Sequence, residues 1–153
     1  MRKWLLRGLV AGVVLFGLIQ LVPYGRNHTN PPVTQEIKWD SVRTRELAVG
    51  ACYDCHSNLT TWPWYSNVAP ISWLVYADVQ GGRGTLNFSE WNRPQDTSAS
   101  DIAESIRGGS MPPSYYTVKP NHSAARLSKS EKAAFIRGLE ATFKASPPIG
   151  GGG

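Results

Sequence analysis

The apolar positions of the chain form one long run near the N-terminus, followed by several shorter amphipathic segments. Residues Gly8–Val22 are apolar except for Gln20, and as a helix they span about 22 Å. Adding Trp4–Leu6 extends the run to about 20 residues, which is enough to cross a bilayer core of roughly 30 Å. Three cations precede the run and only Arg26 follows it closely. The pattern therefore predicts a transmembrane helix with its N-terminus in the cytoplasm.

A cleaved secretory signal peptide is the alternative interpretation of these residues, because its charged start and apolar centre look much the same. The residues at 20–24 offer no small-residue cleavage pattern, however. An uncleaved anchor is therefore favoured. Either interpretation places the rest of the chain outside the cytoplasm.

Beyond this run the pattern predicts helices, without the alternation of strands and helices that marks a βαβ unit. Four segments have helical spacing or helical end signals: Asp40–Val49, Ile71–Gln80 with Gly81-Gly82 as its stop, Ser100–Arg107 before Gly108-Gly109, and a last helix from Ser128 or Lys129 to Phe143. Between the first and second helices, Trp62–Pro70 is an aromatic loop whose prolines forbid a long helix. The stretch Gly81–Ala99 is predicted to be a long irregular loop. The predicted fold class is all-α.

The last helix carries the clearest local signals. Ser128 and Glu131 have the spacing of a capping box at its start. Its apolar positions fall on one face, which should pack on the first helix after the anchor: Ala133, Ile136, Leu139 and Phe143.

Length and charge limit the remaining possibilities. The chain has 153 residues, so after an anchor at residues 1–25 it holds one domain of ordinary size. That domain is predicted over residues 38–145, with a polar linker at 26–37 before it and a disordered Pro- and Gly-rich tail at 146–153 after it. The net charge is +5, but three of the positive charges precede the apolar run. The charge that remains indicates no nucleic-acid partner.

Both cysteines of the chain lie in one short motif, Cys52-Tyr53-Asp54-Cys55-His56. Cys-x-x-Cys-His is the attachment signature of a c-type haem. Two thiols three positions apart on a helical turn can each form a thioether with one vinyl group of a porphyrin. The adjacent imidazole can then bind the iron from one face. The motif predicts one covalent haem c, attached through Cys52 and Cys55, with His56 as the proximal ligand.

A zinc site, a thioredoxin-like redox pair and a simple disulfide are the competing interpretations of the motif. Structural zinc needs four ligands, and the other two histidines, His28 and His122, lie far apart in sequence. A thioredoxin-like pair needs a βαβ context, which the pattern does not predict. Covalent haem is therefore favoured.

Met111 is the only methionine besides the initiator, and it lies in Ser110-Met111-Pro112-Pro113. A thioether is a soft ligand that suits haem iron opposite an imidazole, and it raises the reduction potential. A lone methionine more often fills space in a core. The Pro-stiffened loop before the last helix nevertheless favours Met111 as the distal ligand.

Further motifs follow one another in a specific order: Ser57-Asn58 directly after the haem motif, Trp62–Ser66, Val68–Val75, Leu86–Trp91, Met111–Pro113 with Tyr115-Tyr116, and Ala125–Ser128. With these motifs the chain resembles the bacterial family of small membrane-anchored haem-binding-domain proteins, which belongs with the cytochrome c-like proteins. The resemblance covers about residues 30–144. It implies an all-α, cytochrome c-like fold and a covalent haem, and it says little about function.

The resemblance implies roles at the haem site for two further residues, Pro70 and His122. In cytochromes c a proline carbonyl often accepts the Nδ1–H bond of the haem histidine, and Pro70 is the best placed to do so here. The family also tends to carry a histidine where His122 stands, so His122 is kept as an alternative distal ligand or as a group next to a ligand.

Together these observations predict a monohaem c-type cytochrome that carries single electrons, with a cytochrome c-like domain and an N-terminal transmembrane helix. It would be a single-pass protein of the bacterial cytoplasmic membrane, with the haem on the outer, periplasmic side. Its partners would be redox proteins or a membrane complex. No acid–base pair or nucleophile indicates an enzyme. The alternatives are a haem-based sensor of small ligands and an accessory haem subunit of a larger membrane complex.

Overall fold

In the described part of the chain, residues 1–118 and 120–149 of a computed structural model, the regular elements are helices, and β-pairing occurs only at an isolated bridge between Gln35 and Glu90. The predicted all-α class is confirmed. Short 3-10 turns lie at Trp64–Asn67 and Pro120–Ala125. The helices, in chain order, are α1 (Arg2–Ile19), α2 (Val42–Ala51), α3 (Tyr53–His56), α4 (Ile71–Thr85), α5 (Ala99–Gly108), α6 (Ser114–Thr117) and α7 (Lys129–Ala145).

The N-terminal helix differs from the prediction made for it. Within the described residues, no helix combines the length and the apolar character needed to cross a membrane. Helix α1 ends at Ile19, and its eighteen residues include Arg2, Lys3 and Arg7. The uncharged remainder, Gly8–Ile19, spans only about 18 Å, against roughly 30 Å for a bilayer core. The predicted transmembrane helix, and with it the single-pass membrane location, is therefore wrong.

The chain forms two compact units, the first of which comprises Met1–Thr29 and Trp62–Asp78. In this unit the Gln20 side chain donates to the Ala69 carbonyl (2.9 Å) and accepts from the Ala69 N–H (3.0 Å). His28 stacks on Trp62 with ring centroids 4.6 Å apart. These contacts hold the residues after α1 against the aromatic loop.

The second unit comprises Asn30–Thr61 and the residues from Val79 onward. Its core is one cluster of buried apolar side chains from the helices, from the residues before α2 and from the segment after α4: Ile37, Leu47, Ala48, Tyr53, Leu86, Phe88, Trp91, Ala103, Ile106, Phe135, Ile136, Leu139 and Phe143. The Cys52 side chain packs against this cluster. All the residues of the Cys-x-x-Cys-His motif therefore belong to the second unit.

The expected packing of the last helix on α2 is confirmed, and it depends on a glycine. A Cβ placed on Gly138 would lie 2.0 Å from Thr44 Oγ1 and 2.7 Å from Thr44 Cγ2. The two helices therefore cross at a distance that only glycine permits. Ala133, predicted to share the buried face of α7, is exposed, and Phe135 is buried instead.

The helix ends follow the local signals in most places. The capping box of Ser128 and Glu131 is present, and a second capping box at Ser98 and Asp101 begins α5. Gly109 ends α5 with a positive φ of 75°. The exception is Gly81-Gly82, predicted to stop α4, because the helix continues through both glycines to Thr85. The irregular segment that follows is correspondingly shorter than predicted.

The predicted linker at 26–37 runs from the first unit into the second. The predicted tail begins at Ser146, whose carbonyl accepts a hydrogen bond from Trp91 Nε1 (2.9 Å). The four glycines at 150–153 lie outside the described residues, so the prediction of disorder there stays a prediction.

Gly138→Ala should lower the free energy of unfolding by about 2 kcal/mol. The steric overlap with Thr44 outweighs the better helix propensity of alanine, since overpacking of a close contact costs roughly 1–3 kcal/mol. Gly84→Ala is the matched control, because its Cβ would meet nothing within 4 Å. That variant should be unchanged or about 0.5 kcal/mol more stable. Denaturant unfolding measures both, and equal stability of the two variants would contradict the close crossing.

Candidate functional site

The two cysteines flank a single helical turn. Helix α2 ends at Ala51, Cys52 follows it, and α3 begins at Tyr53. The carbonyl of Cys52 accepts from the N–H groups of Cys55 (3.1 Å) and His56 (2.8 Å), which closes the turn. Cys52, Cys55 and His56 are all half-buried, and no disulfide joins the two cysteines. The motif thus presents two thiols and an imidazole from one short turn at the edge of the core.

The imidazole of His56 is oriented by two backbone carbonyls. Its Nδ1 lies 3.1 Å from the Gly82 oxygen and 3.2 Å from the Leu86 oxygen. Because a carbonyl can only accept, Nδ1 must carry the proton, and the lone pair of the neutral ring is then on Nε2. Burial lowers the pKa of His56, although the two carbonyl contacts oppose that shift. The ring is therefore prepared as a neutral donor, which is the form that binds metal.

Helix α4 reaches His56 because of Gly82. A Cβ at this position would lie 2.4 Å from the Cys55 oxygen and 2.9 Å from the Cys55 carbonyl carbon. Only glycine allows α4 to approach α3 this closely, and the approach brings the Gly82 carbonyl to Nδ1 of His56. This contact explains why the glycine pair lies inside α4 and does not end it.

The predicted role of Pro70 is wrong. The acceptors at Nδ1 of His56 are Gly82 and Leu86, and the Pro70 carbonyl accepts from the N–H of Trp73 (3.1 Å). Sequence distance from the haem histidine suggested the proline. The sequence held no sign that two carbonyls near the end of α4 would take its place.

The segment after α4 is locked against the residues that follow His56. The N–H of Phe88 donates to the His56 carbonyl (2.9 Å), and the N–H of Asn58 donates to Ser89 Oγ (3.0 Å). Asn87 donates to the Asn58 side chain (2.8 Å). Leu86, Phe88 and Trp91, which belong to the predicted long loop, lie in the core. These contacts fix the backbone on both sides of the His56 ring.

Tyr53, the first residue between the cysteines, anchors the motif in the core. Its side chain is 4% exposed, and its ring stacks on Phe88 with centroids 5.6 Å apart. Its hydroxyl donates to Glu36 Oε1 (2.8 Å) and accepts from Trp39 Nε1 (3.1 Å). The buried Tyr53 side chain therefore fixes the turn of the two cysteines to the core.

Asp54, the second residue between the cysteines, gathers a cluster that sequence reasoning missed. Its Oδ2 accepts from the Tyr116 hydroxyl (2.7 Å) and lies 3.8 Å from His122 Nδ1. The rings of Tyr116 and His122 contact each other, with centroids 4.0 Å apart. His122 is 9% exposed. The available signal was the position of Asp54 inside the motif, since a carboxylate there must face away from the thiols or find a donor.

The two candidate distal ligands have different surroundings. His122 lies beside Asp54 of the motif, as described. Met111 follows α5, where its N–H donates to the Ser105 carbonyl (3.2 Å), and 41% of the residue is exposed. The motif residues and His122 are thus brought together, and Met111 begins the segment that leads to Tyr116.

The donor set of the site fits haem. It consists of two thiols and one imidazole whose Nε2 is directed by contacts at the opposite nitrogen. Burial, followed by the neighbouring Cys55, raises the pKa of Cys52 to about 12, so this thiol is protonated at neutral pH. In the part of the chain that the structure describes, no three His, Cys, Asp or Glu side chains cluster to hold a metal ion.

Comparison with known proteins agrees with this donor set. A family model described as a haem-binding domain matches residues 14–141, which is most of the chain. The chain therefore belongs to this haem-binding-domain family, and its predicted cofactor, haem, is confirmed at that level. No curated protein and no solved structure shows a significant match.

Gly82→Ala should destabilise the protein by about 2 kcal/mol, because the new methyl group overlaps the Cys55 backbone. It should also displace the carbonyl that holds Nδ1 of His56 and so reduce the share of protein that retains haem. Gly81→Ala is the matched control, since a Cβ there would meet nothing within 4 Å. Thermal unfolding and the ratio of haem to protein after purification measure the two effects. Similar behaviour of both variants would contradict the role of Gly82.

Proposed function

We propose that the protein is a monohaem c-type cytochrome that carries single electrons, with His56 as the proximal ligand. The observation that carries the proposal is the orientation of His56. Its protonated Nδ1 faces two carbonyls, which leaves Nε2 as the nitrogen available to iron. Hydrogen bonds at Nδ1 keep the ring in one orientation and raise its basicity as a ligand.

Cys52 and Cys55 attach the haem through thioethers in this proposal. Their support is the turn closed by the Cys52 carbonyl, which carries both cysteines and His56. Bound haem supplies a one-electron Fe(III)/Fe(II) couple, and the chain contributes its ligands and the buried surroundings that tune it. The protein residues undergo no chemistry in the transfer itself, so the proposal assigns no catalytic residue. Its partners are other redox proteins.

Met111 is the distal ligand in this proposal. Its support is its place in the chain, since it lies two residues after Gly109, which ends α5, and directly precedes two prolines. Met/His ligation raises the reduction potential of a haem. A stiff loop loses little entropy on holding a weak ligand, which favours a thioether at this position.

A haem-based sensor of small ligands is the second candidate. The observation that favours it is the exposure of Met111, because a ligand residue that is 41% exposed is easily displaced. In a sensor, the ferrous protein binds carbon monoxide rapidly and stoichiometrically. In an electron carrier with Met111 on the iron, the ferrous protein is nearly inert to it.

The haem of the unaltered protein should stay attached after denaturation, because thioethers survive unfolding. In the double variant Cys52→Ala, Cys55→Ala, acid solvent should extract all of it. Met111→Ala is the control, since it removes a proposed ligand without removing a thioether. Haem staining after denaturing electrophoresis checks the three proteins. Extraction of haem from the unaltered protein would show that attachment is not covalent.

Met111→Ala should remove the weak far-red sulfur-to-iron absorption of the oxidised protein. The same variant should lower the reduction potential and open the iron to carbon monoxide or azide, because a thioether stabilises the ferrous state. Spectra and redox titration measure these effects, and His122→Ala serves for comparison. If Met111→Ala keeps the spectrum and potential while His122→Ala changes them, the ligand pair is His56 and His122.

A further inference from the structure

We propose that Tyr116 and Asp54 are positioning residues that dock residues 111–118, here called the strap, onto the haem motif and thereby hold Met111 at the iron. The inference rests on the proposed function and concerns how the chain itself controls the position of the distal ligand. It depends on contacts of the strap at both ends and in the middle.

The two ends of the strap are fixed to neighbouring helical segments. At its start, the N–H of Met111 donates to the Ser105 carbonyl near the end of α5 (3.2 Å). At its end, the Arg126 side chain donates to the Thr117 carbonyl (2.6 Å) and the Val118 carbonyl (3.3 Å). These backbone contacts fix the two ends of the strap. They do not fix the distance between the middle of the strap and the motif.

The middle of the strap is joined to the motif by one charged hydrogen bond. The Tyr116 hydroxyl donates to Asp54 Oδ2 (2.7 Å), while Asp54 Oδ1 accepts from the N–H of Thr61 (3.0 Å). Asp54 is held by its own backbone as well, since its carbonyl accepts from Thr60 Oγ1 (2.8 Å). The strap is thus fastened to the turn that carries the two thiols.

His122 supports this bond from the side. Its ring contacts the Tyr116 ring, with centroids 4.0 Å apart, and its Nδ1 lies 3.8 Å from Asp54 Oδ2. Burial, followed by the bond to Asp54, raises the pKa of Tyr116, so its hydroxyl remains a donor at neutral pH. A phenol that donates to a carboxylate in partly buried surroundings makes a stronger bond than two neutral groups would.

The distance along the chain links this bond to the ligand. Met111 precedes Tyr116 by five residues, which span at most about 18 Å when extended. The helical turn α6 (Ser114–Thr117) shortens that reach. A strap fastened at Asp54 therefore limits how far Met111 can move from the motif that would carry the haem. A strap released from Asp54 would let a weak ligand leave the iron.

The test compares Tyr116→Phe with the unaltered protein, both in the haem-loaded full chain. Loss of one charge-assisted hydrogen bond shifts the docking equilibrium about tenfold toward the open strap. We expect about tenfold faster carbon monoxide binding to the ferrous protein, a weaker far-red band and a lower reduction potential. Amide hydrogen exchange across residues 111–118 should rise as well, and this readout needs no haem chemistry.

Two variants keep the test specific. Asp54→Asn retains an acceptor for Tyr116 but loses the charge, so its carbon monoxide rate and potential should fall between those of Tyr116→Phe and the unaltered protein. Tyr76→Phe removes a phenolic oxygen from the first compact unit, where the Tyr76 ring packs edge-on against Tyr24. It should behave like the unaltered protein in every readout.

The outcomes separate this inference from the proposed function. If Met111→Ala removes the far-red band but Tyr116→Phe leaves band, potential, carbon monoxide rate and exchange unchanged, the positioning role is overturned and the cytochrome remains. If the unaltered protein lacks the band, or if only His122→Ala alters it, Met111 is not the ligand. Both the distal assignment and the positioning inference then fail together.

Discussion

The close approach of Gly82 to Cys55 is the constraint on which the candidate site depends. It brings α4 against the turn of the motif and directs a helix carbonyl at Nδ1 of His56. With Leu86 contributing the second carbonyl, the imidazole has one tautomer and one orientation before any ligand arrives. The segment after α4 then continues back over the motif, where Phe88 bonds to the His56 carbonyl. The absence of a side chain at Gly82 thus allows α4, the His56 ring and the segment after α4 to pack together.

The two residues between the cysteines, Tyr53 and Asp54, make contacts on different sides of the turn. Tyr53 points into the core and fixes the turn to the folded unit through Phe88 and Glu36. Asp54 faces the residues after α5 and binds Tyr116. A four-residue helix has little stability of its own, so the turn is held by these side chains. The two residues between the cysteines, Tyr53 and Asp54, therefore carry structural contacts of the motif.

Local signals in the sequence predicted much of this structure. Ser128 with Glu131, and Gly109 at a positive φ, act within one helical turn, so their effect is visible in the sequence. Haem was also predictable as the cofactor, because the motif that indicates it is only five residues long. The prediction failed where a contact with a residue distant in sequence determines the local structure. Gly81-Gly82 has the composition of a helix stop, yet Cys55, nearly thirty residues earlier in the chain, makes it a crossing point.

The same limit explains the other errors at the site. Pro70 was chosen for its distance along the chain from His56, but hydrogen-bond partners are chosen by where helices cross, and α4 crosses at its far end. The Asp54, Tyr116 and His122 cluster joins residues more than sixty positions apart, and none of the three has a pattern that indicates the others. A carboxylate placed between two cysteines of a short helical turn does have one physical consequence. In a partly buried position it must find donors, and one of the donors it finds, the Tyr116 hydroxyl, belongs to the segment that begins at Met111. Asp54 therefore couples the motif to the residues that follow α5.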